Sequence, residues 1–448
     1  MSLSKIKKSL DTLSYYSLIM YILDIILLGT GMLTKYGFFS SRILFFSVAI
    51  LAALPDMWEK RRDLLKNKLL WMVGIFLIYI FIMGIYGYFA GNKVSVIIQD
   101  LKGFLNFAIL PVMMVKLNSK EKINHLLKFV FVGCLAIAGV SFILSFAKFF
   151  PNNLTAYLVE KLKHYGLVQL TFLTDKATRV VFDTTSRYMF VAFVIGIYFT
   201  ASKVKANKLA IVAMGCIMAS IYISYIRGVY LGAVVAGIVA IIIMIFTSRS
   251  YLKHAFKCLG LATVICLIIV SSLSFMQKEN LFVVGFLRST SGLKIDTSDL
   301  NVDEEINKEQ EEYNFNLREY RLTEINKGIK KSPIIGNGLG YTIDENTDYI
   351  EYFYQDLWAK TGIIGVILLC APLFALLSVF LKKRRKIGEH TLMLQGLMYC
   401  CALYVFVISY FNPCMNSTIG ISVFTLSIAI VSPINAWDQK LVLTEKSE

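Results

Sequence analysis

Residues 69–90 read LLWMVGIFLIYIFIMGIYGYFA. The run carries no charged side chain, and it is as long as the ~20 residues with which a helix crosses the ~30 Å hydrocarbon core of a bilayer. In hydrocarbon every backbone N–H and C=O needs a partner inside the protein, which leaves helices or closed barrels. A barrel would show short alternating strands, and this run does not alternate. Comparable runs cover residues 15–33, 38–54, 94–115, 126–149, 188–201, 209–225, 229–246, 256–276, 362–381, 392–411 and 419–431. The expectation is an all-α polytopic membrane protein with about twelve transmembrane helices. Several runs are short for a straight span, so flanking residues are expected to complete them.

Composition agrees. Of 448 residues, 56% are hydrophobic and 17% charged, and the mean hydropathy is +0.63, too apolar for a soluble chain of this length. The formal charge of +16 would suit nucleic acid if it were clustered on a polar domain. Instead the Lys and Arg residues flank the apolar runs, as topology signals and headgroup contacts do. Nucleic-acid binding is therefore not expected. Eight cysteines lie almost entirely inside apolar runs, with Cys400 and Cys401 adjacent and no C-x-x-C pair; they read as small packing residues. The N-terminal Lys5, Lys7 and Lys8 precede a long apolar run without an A-x-A-like cleavage site, so a retained first helix is expected rather than a removable signal.

Alternate loops are basic. Lys60/Arg61/Arg62, Lys116/Lys120/Lys122, Lys203/Lys205/Lys208, Arg249/Lys253/Lys257 and Lys382 through Lys386 join the N-terminal lysines in one set, which the positive-inside rule assigns to the cytoplasm. Both termini then lie inside, and segments 150–187 and 277–360 lie outside. Three regions follow: residues 1–276 as an N-terminal bundle of about nine helices, 277–360 as an extracytoplasmic loop between the ninth and tenth, and 361–448 as about three helices with a cytoplasmic tail. Within the loop, acidic residues 295–313 suit a mobile lid or a solvated insertion. An amphipathic helix is expected over 314–331, where Leu317, Tyr320, Leu322, Ile325 and Ile329 recur at near-helical spacing before Pro333, Gly336, Gly338 and Gly340. A second amphipathic stretch, 154–165, suits a headgroup surface.

Chemistry is sought among outward-facing arginines, since a guanidinium binds phosphate oxygens bidentately and stays charged when partly desolvated. Arg179 and Arg187 close the first outer segment, Arg227 sits in the tight turn Ser224–Gly228, and Arg318 and Arg321 share the loop helix. Each could equally snorkel to headgroups, except that Arg227 is held near the membrane plane, where a charge is costly without a partner or a use. Asp24, Asp100 and Lys102 fall in or beside spans and need partners; structural pairing is the simpler reading than a proton relay. Of four histidines only His164 faces outward, and no H-E-x-x-H spacing exists, so neither a metal nor another cofactor is expected. Gly336, Gly338 and Gly340 follow a helix rather than open a βαβ unit, so they make a turn and not a dinucleotide fingerprint. There is no P-loop and no Asp-x-Asp motif.

The run SYIRGVYLG, residues 224–232, resembles the Ser-x-x-Arg-Gly or Ser-Arg-Gly turn of the O-antigen polymerase and O-antigen ligase superfamily. Arg318 followed by SPIIGNGLG at 332–340 is similar to that family's Arg…Pro-Leu-Leu-Gly-x-Gly-x-Gly pattern, and YFYQDLWAKTGIIG at 352–365 resembles its closing segment. Arg179 in TRVVF is a weaker match, and the resemblance covers roughly residues 178–381. It implies a GT-C-like bundle and a metal-independent glycosyltransferase that takes a glycan from a polyprenyl pyrophosphate. Arg227 and Arg318 would then be catalytic, and Arg179, Arg187, Arg227, Arg318 and Arg321 would bind the pyrophosphate. Family ligases usually carry a His eleven residues before the closing Gly; counting back from Gly362 gives Glu351. A carboxylate there is the candidate base, or else a solvated acid. That departure favours a polymerase of O-antigen, capsule or exopolysaccharide in the bacterial cytoplasmic membrane, with the bilayer, the lipid-linked oligosaccharide and a chain-length regulator as partners. The runners-up are a ligase-type transferase and a flippase for the lipid-linked oligosaccharide, though no repeated halves are evident. A scaffold or sensor stands outside both classes.

Overall fold

The computed structural model describes residues 3–29, 40–145, 153–165, 167–172, 178–182, 186–201, 208–247, 249–290, 305–343, 352–383 and 387–431. Its helices are α1 (Leu3–Leu28), α2 (Ser41–Glu59), the short α3 (Arg61–Lys66), α4 (Lys68–Phe89), α5 (Val94–Phe104), α6 (Leu110–Lys116), α7 (Lys120–Ser145) and α8 (Asn153–His164). A two-stranded antiparallel hairpin follows, β1 (Gln169–Phe172) with β2 (Thr178–Val181). Then come α9 (Ser186–Ala201), α10 (Lys208–Ile223), α11 (Arg227–Thr247), α12 (Arg249–Gln277), α13 (Leu281–Thr290), α14 (Glu305–Lys331), α15 (Phe353–Lys383), α16 (Glu389–Ser409) and α17 (Thr418–Val431). Among the described residues nine helical segments are long and apolar enough to cross a bilayer, and α9, α10 and α17 are apolar but shorter. The chain is an α-helical polytopic membrane protein.

Starts and interruptions of these helices follow local chemistry. Asn67 caps α4, its Oδ1 accepting from the Leu69 and Leu70 amides at 3.0 and 3.1 Å, which satisfies two of the orphan donors of the first turn. Between α5 and α6 the chain tightens into a 3-10 segment, Leu105–Ile109. There Asn106 donates to the Gly103 and Lys102 carbonyls at 2.8 and 3.2 Å, and its Oδ1 accepts from the Tyr21 hydroxyl at 3.0 Å. Pro111 lies in the first turn of α6, the one helical position where a missing N–H costs little. α15 is broken at Gly362, whose φ of 66 is a left-handed value.

The core is organised around α16 and α17. Every residue from Ile419 to Val431 is buried, as is most of α16. α17 packs against α16, α6, α9, α1, α5 and α15, whereas α2, α4, α11 and α12 keep apolar faces outward, for example Leu51, Ile78, Ile242 and Ile268. Exposed leucines and isoleucines on those helices suit contact with lipid chains.

Three features depart from the sequence reading. The hairpin and α13 were not foreseen; four-residue strands and a ten-residue helix give too few periods to read. The loop helix begins at Glu305 rather than 314, so half of the acidic stretch is helical, and residues 295–304 lie outside the described residues. The helix expected from 362 begins at Phe353, nine residues earlier, because the chain continues as helix above the Gly362 break. All eight cysteines are free, and six are buried. Asp24 has a partner, as expected of a charge at that depth: Arg42 Nε donates to it at 3.0 Å and the Ser41 hydroxyl also bonds to it.

Candidate functional site

Two clusters of polar residues lie at the end of the bundle that carries α14, here the loop end. The first is built by the turn after α14. Pro333–Gly340 folds under that helix and against the break in α15, with Gly336, Gly338 and Gly340 all at left-handed φ of 86, 87 and 79. The Asn337 and Gly338 amides donate to the Ala359 and Lys360 carbonyls at 2.9 Å, and the Ile363 amide donates to Pro333 O at 3.0 Å. On the other side the Leu339 amide donates to Met83 O of α4 at 3.0 Å. Gly87 permits this approach, since a Cβ there would overlap the Leu339 carbonyl. Asn92 Nδ2 reaches the Asn337, Gly338 and Leu339 carbonyls at 3.1, 3.4 and 2.9 Å.

A buried ion triad lies under the same turn. Lys360 Nζ donates to Asp100 Oδ1 at 2.9 Å and to Asp356 Oδ2 at 3.0 Å, and Asp100 Oδ2 accepts from the Gly340 amide at 2.8 Å. Asp100 thus pairs structurally, as the sequence suggested, and Lys360 is only 8% exposed. Asp356 Oδ1 is buried with no hydrogen-bond partner. The helix above is anchored by Ile325, fully buried with Ala359, and by Gly328 against the Tyr341 ring. Burial pushes the Tyr341 phenol above its ordinary pKa, and the charge of Glu324 adds to that.

The second cluster surrounds the loop end of α16. Arg187 is half-buried in the first turn of α9, a helix that packs on α16, and the Phe190 ring of α9 stacks on Tyr404 at 4.2 Å. From the opposite side comes the start of α11. Arg227 is its first residue and is exposed; a Cβ on Gly228 would touch Phe411 and Asn412 at 3.1 and 3.2 Å, and one on Gly232 would meet Tyr404. The first turns of α9 and α11 thus both pack against the loop-end half of α16. The turn that presents Arg227 is constrained: Tyr225 has φ 50, rare for a bulky residue, and its buried hydroxyl has no partner. Tyr222 packs with Tyr225, Tyr230 and Phe282 at centroid distances of 6.1, 6.2 and 5.9 Å, fixing the turn against α13. Strain and an unpaired polar atom on one residue cost a few kcal/mol by order of magnitude, and folded chains keep such features mostly at functional turns.

Of the sequence-predicted residues, Arg187 and Arg227 lie in the first turns of α9 and α11, two helices that pack on α16. Arg321 is half-buried on α14, which packs on α15. The backbone of Arg179 pairs with Thr171 in the hairpin, and Arg318 lies on α14; the side chains of both fall outside the described residues. So does Glu351 entirely. The two clusters are linked through the first half of α15, where the Tyr354 hydroxyl donates to Phe406 O at 2.7 Å. Sequence reasoning missed Arg42, Asn92, Asp356 and Lys360. Asp356 and Lys360, one helical turn apart beside an apolar run, carried the signal of a charged pair at membrane depth. Among the described residues no group of three or more His, Cys, Asp or Glu side chains is placed to hold a metal ion.

No protein-family model matches the chain, and no curated protein is similar enough to count as a relative.

Proposed function

We propose that the chain is a polysaccharide polymerase of the bacterial cytoplasmic membrane, with about twelve spans in a GT-C-like bundle, cytoplasmic termini and an extracytoplasmic α14. It transfers a growing glycan from polyprenyl pyrophosphate to a lipid-linked repeat unit. The observation that carries this reading is the packing of the first turns of α9 and α11, which bear Arg187 and Arg227, against the loop-end half of α16, with Arg227 following a strained turn within the Ser-x-x-Arg-Gly run. In the transfer the anomeric C–O bond to pyrophosphate breaks, the acceptor oxygen bonds to that carbon, and its proton passes to a base, for which Glu351 is the candidate. Negative charge then grows on the leaving pyrophosphate. Fixed guanidinium groups offset it best in a partly desolvated site. Arg318 and Arg321 on α14 add to that field, and Arg179 contributes from the hairpin.

The purified chain in liposomes, given lipid-linked repeat units, tests this reading. A ladder of longer lipid-linked glycans is expected, and Arg227→Ala or Arg187→Ala should slow elongation by about 100-fold or more with insertion unchanged. Unaltered product length in either variant removes that arginine from the site. Full activity in Glu351→Gln removes the base. A second reading, a flippase for the same lipid, is favoured by the interrupted helices α5–α6 and α15, because transporters place substrates at such breaks. It predicts altered sidedness of the lipid with unaltered glycan length.

A further inference from the structure

The turn after α14 is bonded to α4 well inside that helix. Measured inward from Phe89 at 1.5 Å per residue, Met83 is about 9 Å and Tyr79 about 15 Å deep. Met83 O takes the Leu339 amide, and the Tyr79 hydroxyl donates to Thr361 O at 2.7 Å and reaches Ile335 O at 3.5 Å. A turn that merely capped the bundle would meet only the rim of α4, near Asn92.

From Gly336 to Gly340 its amides are also satisfied internally. The amides of Gly336 through Gly340 all have protein acceptors: Ser332 O, Ala359 O, Lys360 O, Met83 O and the Asp100 carboxylate. The carbonyls of Asn337, Gly338 and Leu339 share Asn92, while Pro333 O takes the Ile363 amide and Trp358 Nε1. A turn in water has no need of so many internal partners; backbone at membrane depth requires them. The side chains at its tip are the reverse of satisfied by protein. Ile334 is 62% and Ile335 53% exposed. They continue the outward apolar faces of the two helices to which the turn is bonded, Ile78 and Ile82 on α4 and Ile364 and Ile367 on α15.

We propose that Pro333–Gly340 is a re-entrant wedge in the bilayer, with Ile334 and Ile335 in contact with hydrocarbon chains of the membrane. α14 is thereby tethered to the lipid phase as well as to α15. This inference needs only a membrane protein and does not rest on the glycosyl-transfer reading.

The test uses the full chain in phospholipid liposomes. Ile334→Cys and Ile335→Cys, each carrying a nitroxide, are compared with Tyr320→Cys on the exposed face of α14, after subtraction of any label taken up by the parent. All three positions are surface sites, and an unchanged melting temperature verifies the fold. Collision with molecular oxygen, which concentrates in hydrocarbon, is compared with collision with a neutral nickel chelate, which stays in water. The oxygen-to-nickel ratio should be severalfold higher at 334 and 335 than at 320. A ratio equal to that at 320 would place the turn in water, and low collision with both reagents would mean protein covers it; either overturns the wedge.

Discussion

Two lysines do the same chemistry at opposite ends of the bundle. Lys116, fully buried at the end of α6, bonds Asp11 of α1 at 2.9 Å and also Asp56 of α2. Lys360 on α15 bonds Asp100 of α5 and Asp356 of its own helix. Each ammonium serves two carboxylates. The difference lies in what else is bonded there: at Lys116 the second cation Lys122 also reaches Asp11, at 3.2 Å, so the charges balance between helices. At Lys360 the extra bond is a turn amide, and one carboxylate oxygen is left unpaired. The first arrangement joins three spans; the second holds the turn after α14 to two of them. Desolvation makes neither a large net stabiliser, but removing one partner from either leaves a buried charge exposed to a low dielectric.

Substitutions at the two sites should separate these roles. Lys116→Ala is expected to have the largest effect, a loss of about 3–5 kcal/mol, since it leaves two carboxylates without their shared cation; denaturant unfolding in detergent measures it, and an unchanged midpoint would end the comparison. Lys360→Ala should cost about 3 kcal/mol, since it leaves Asp356 a buried carboxylate without a cation while Asp100 keeps the Gly340 amide, and limited proteolysis should now cut between α14 and α15. Protection equal to the parent's would show that the triad is not what holds the turn. Asn92→Ala withdraws one amide group from three carbonyls, for a loss of about 1–2 kcal/mol with the same cleavage pattern. Smallest is Asp356→Asn, within about 1 kcal/mol of the parent, because the amide keeps a carbonyl oxygen for Lys360 and removes one of two buried negative charges while Lys360 keeps Asp100. Asp56→Asn, the matching change at the other end, should be the more damaging of the two.

Most of the fold was legible as apolar runs. The stretch at 69–90 corresponds to α4, Lys68–Phe89, within a residue at each end, because hydrocarbon demands a full-length apolar helix and tolerates little else. Polar elements outside that rule were read less well. Glu305 through Tyr313 look like solvated coil from charge alone, yet they extend α14. The site was legible only locally: Ser224–Gly228 stood out as a tight turn, and the chain does turn there between α10 and α11. The partnership of Asp100 with Lys360 spans a sequence separation of 260 residues, and no periodicity or spacing encodes such a pair. Arg42 was hidden for the same reason, its partner Asp24 lying on the preceding helix across residues 30–39.

The complete enclosure of α17 has a consequence for biosynthesis. In the chain it follows every helix that surrounds it, from α1 through α16. While the ribosome is still making those helices, their inner faces enclose a groove with nothing in it, and no lipid-facing stripe on α17 could hold that helix in the membrane as a stable stopover. The bundle therefore closes around α17 only after the helices that enclose it have been made, and a polypeptide halted before Thr418 would lack the helix that fills its interior.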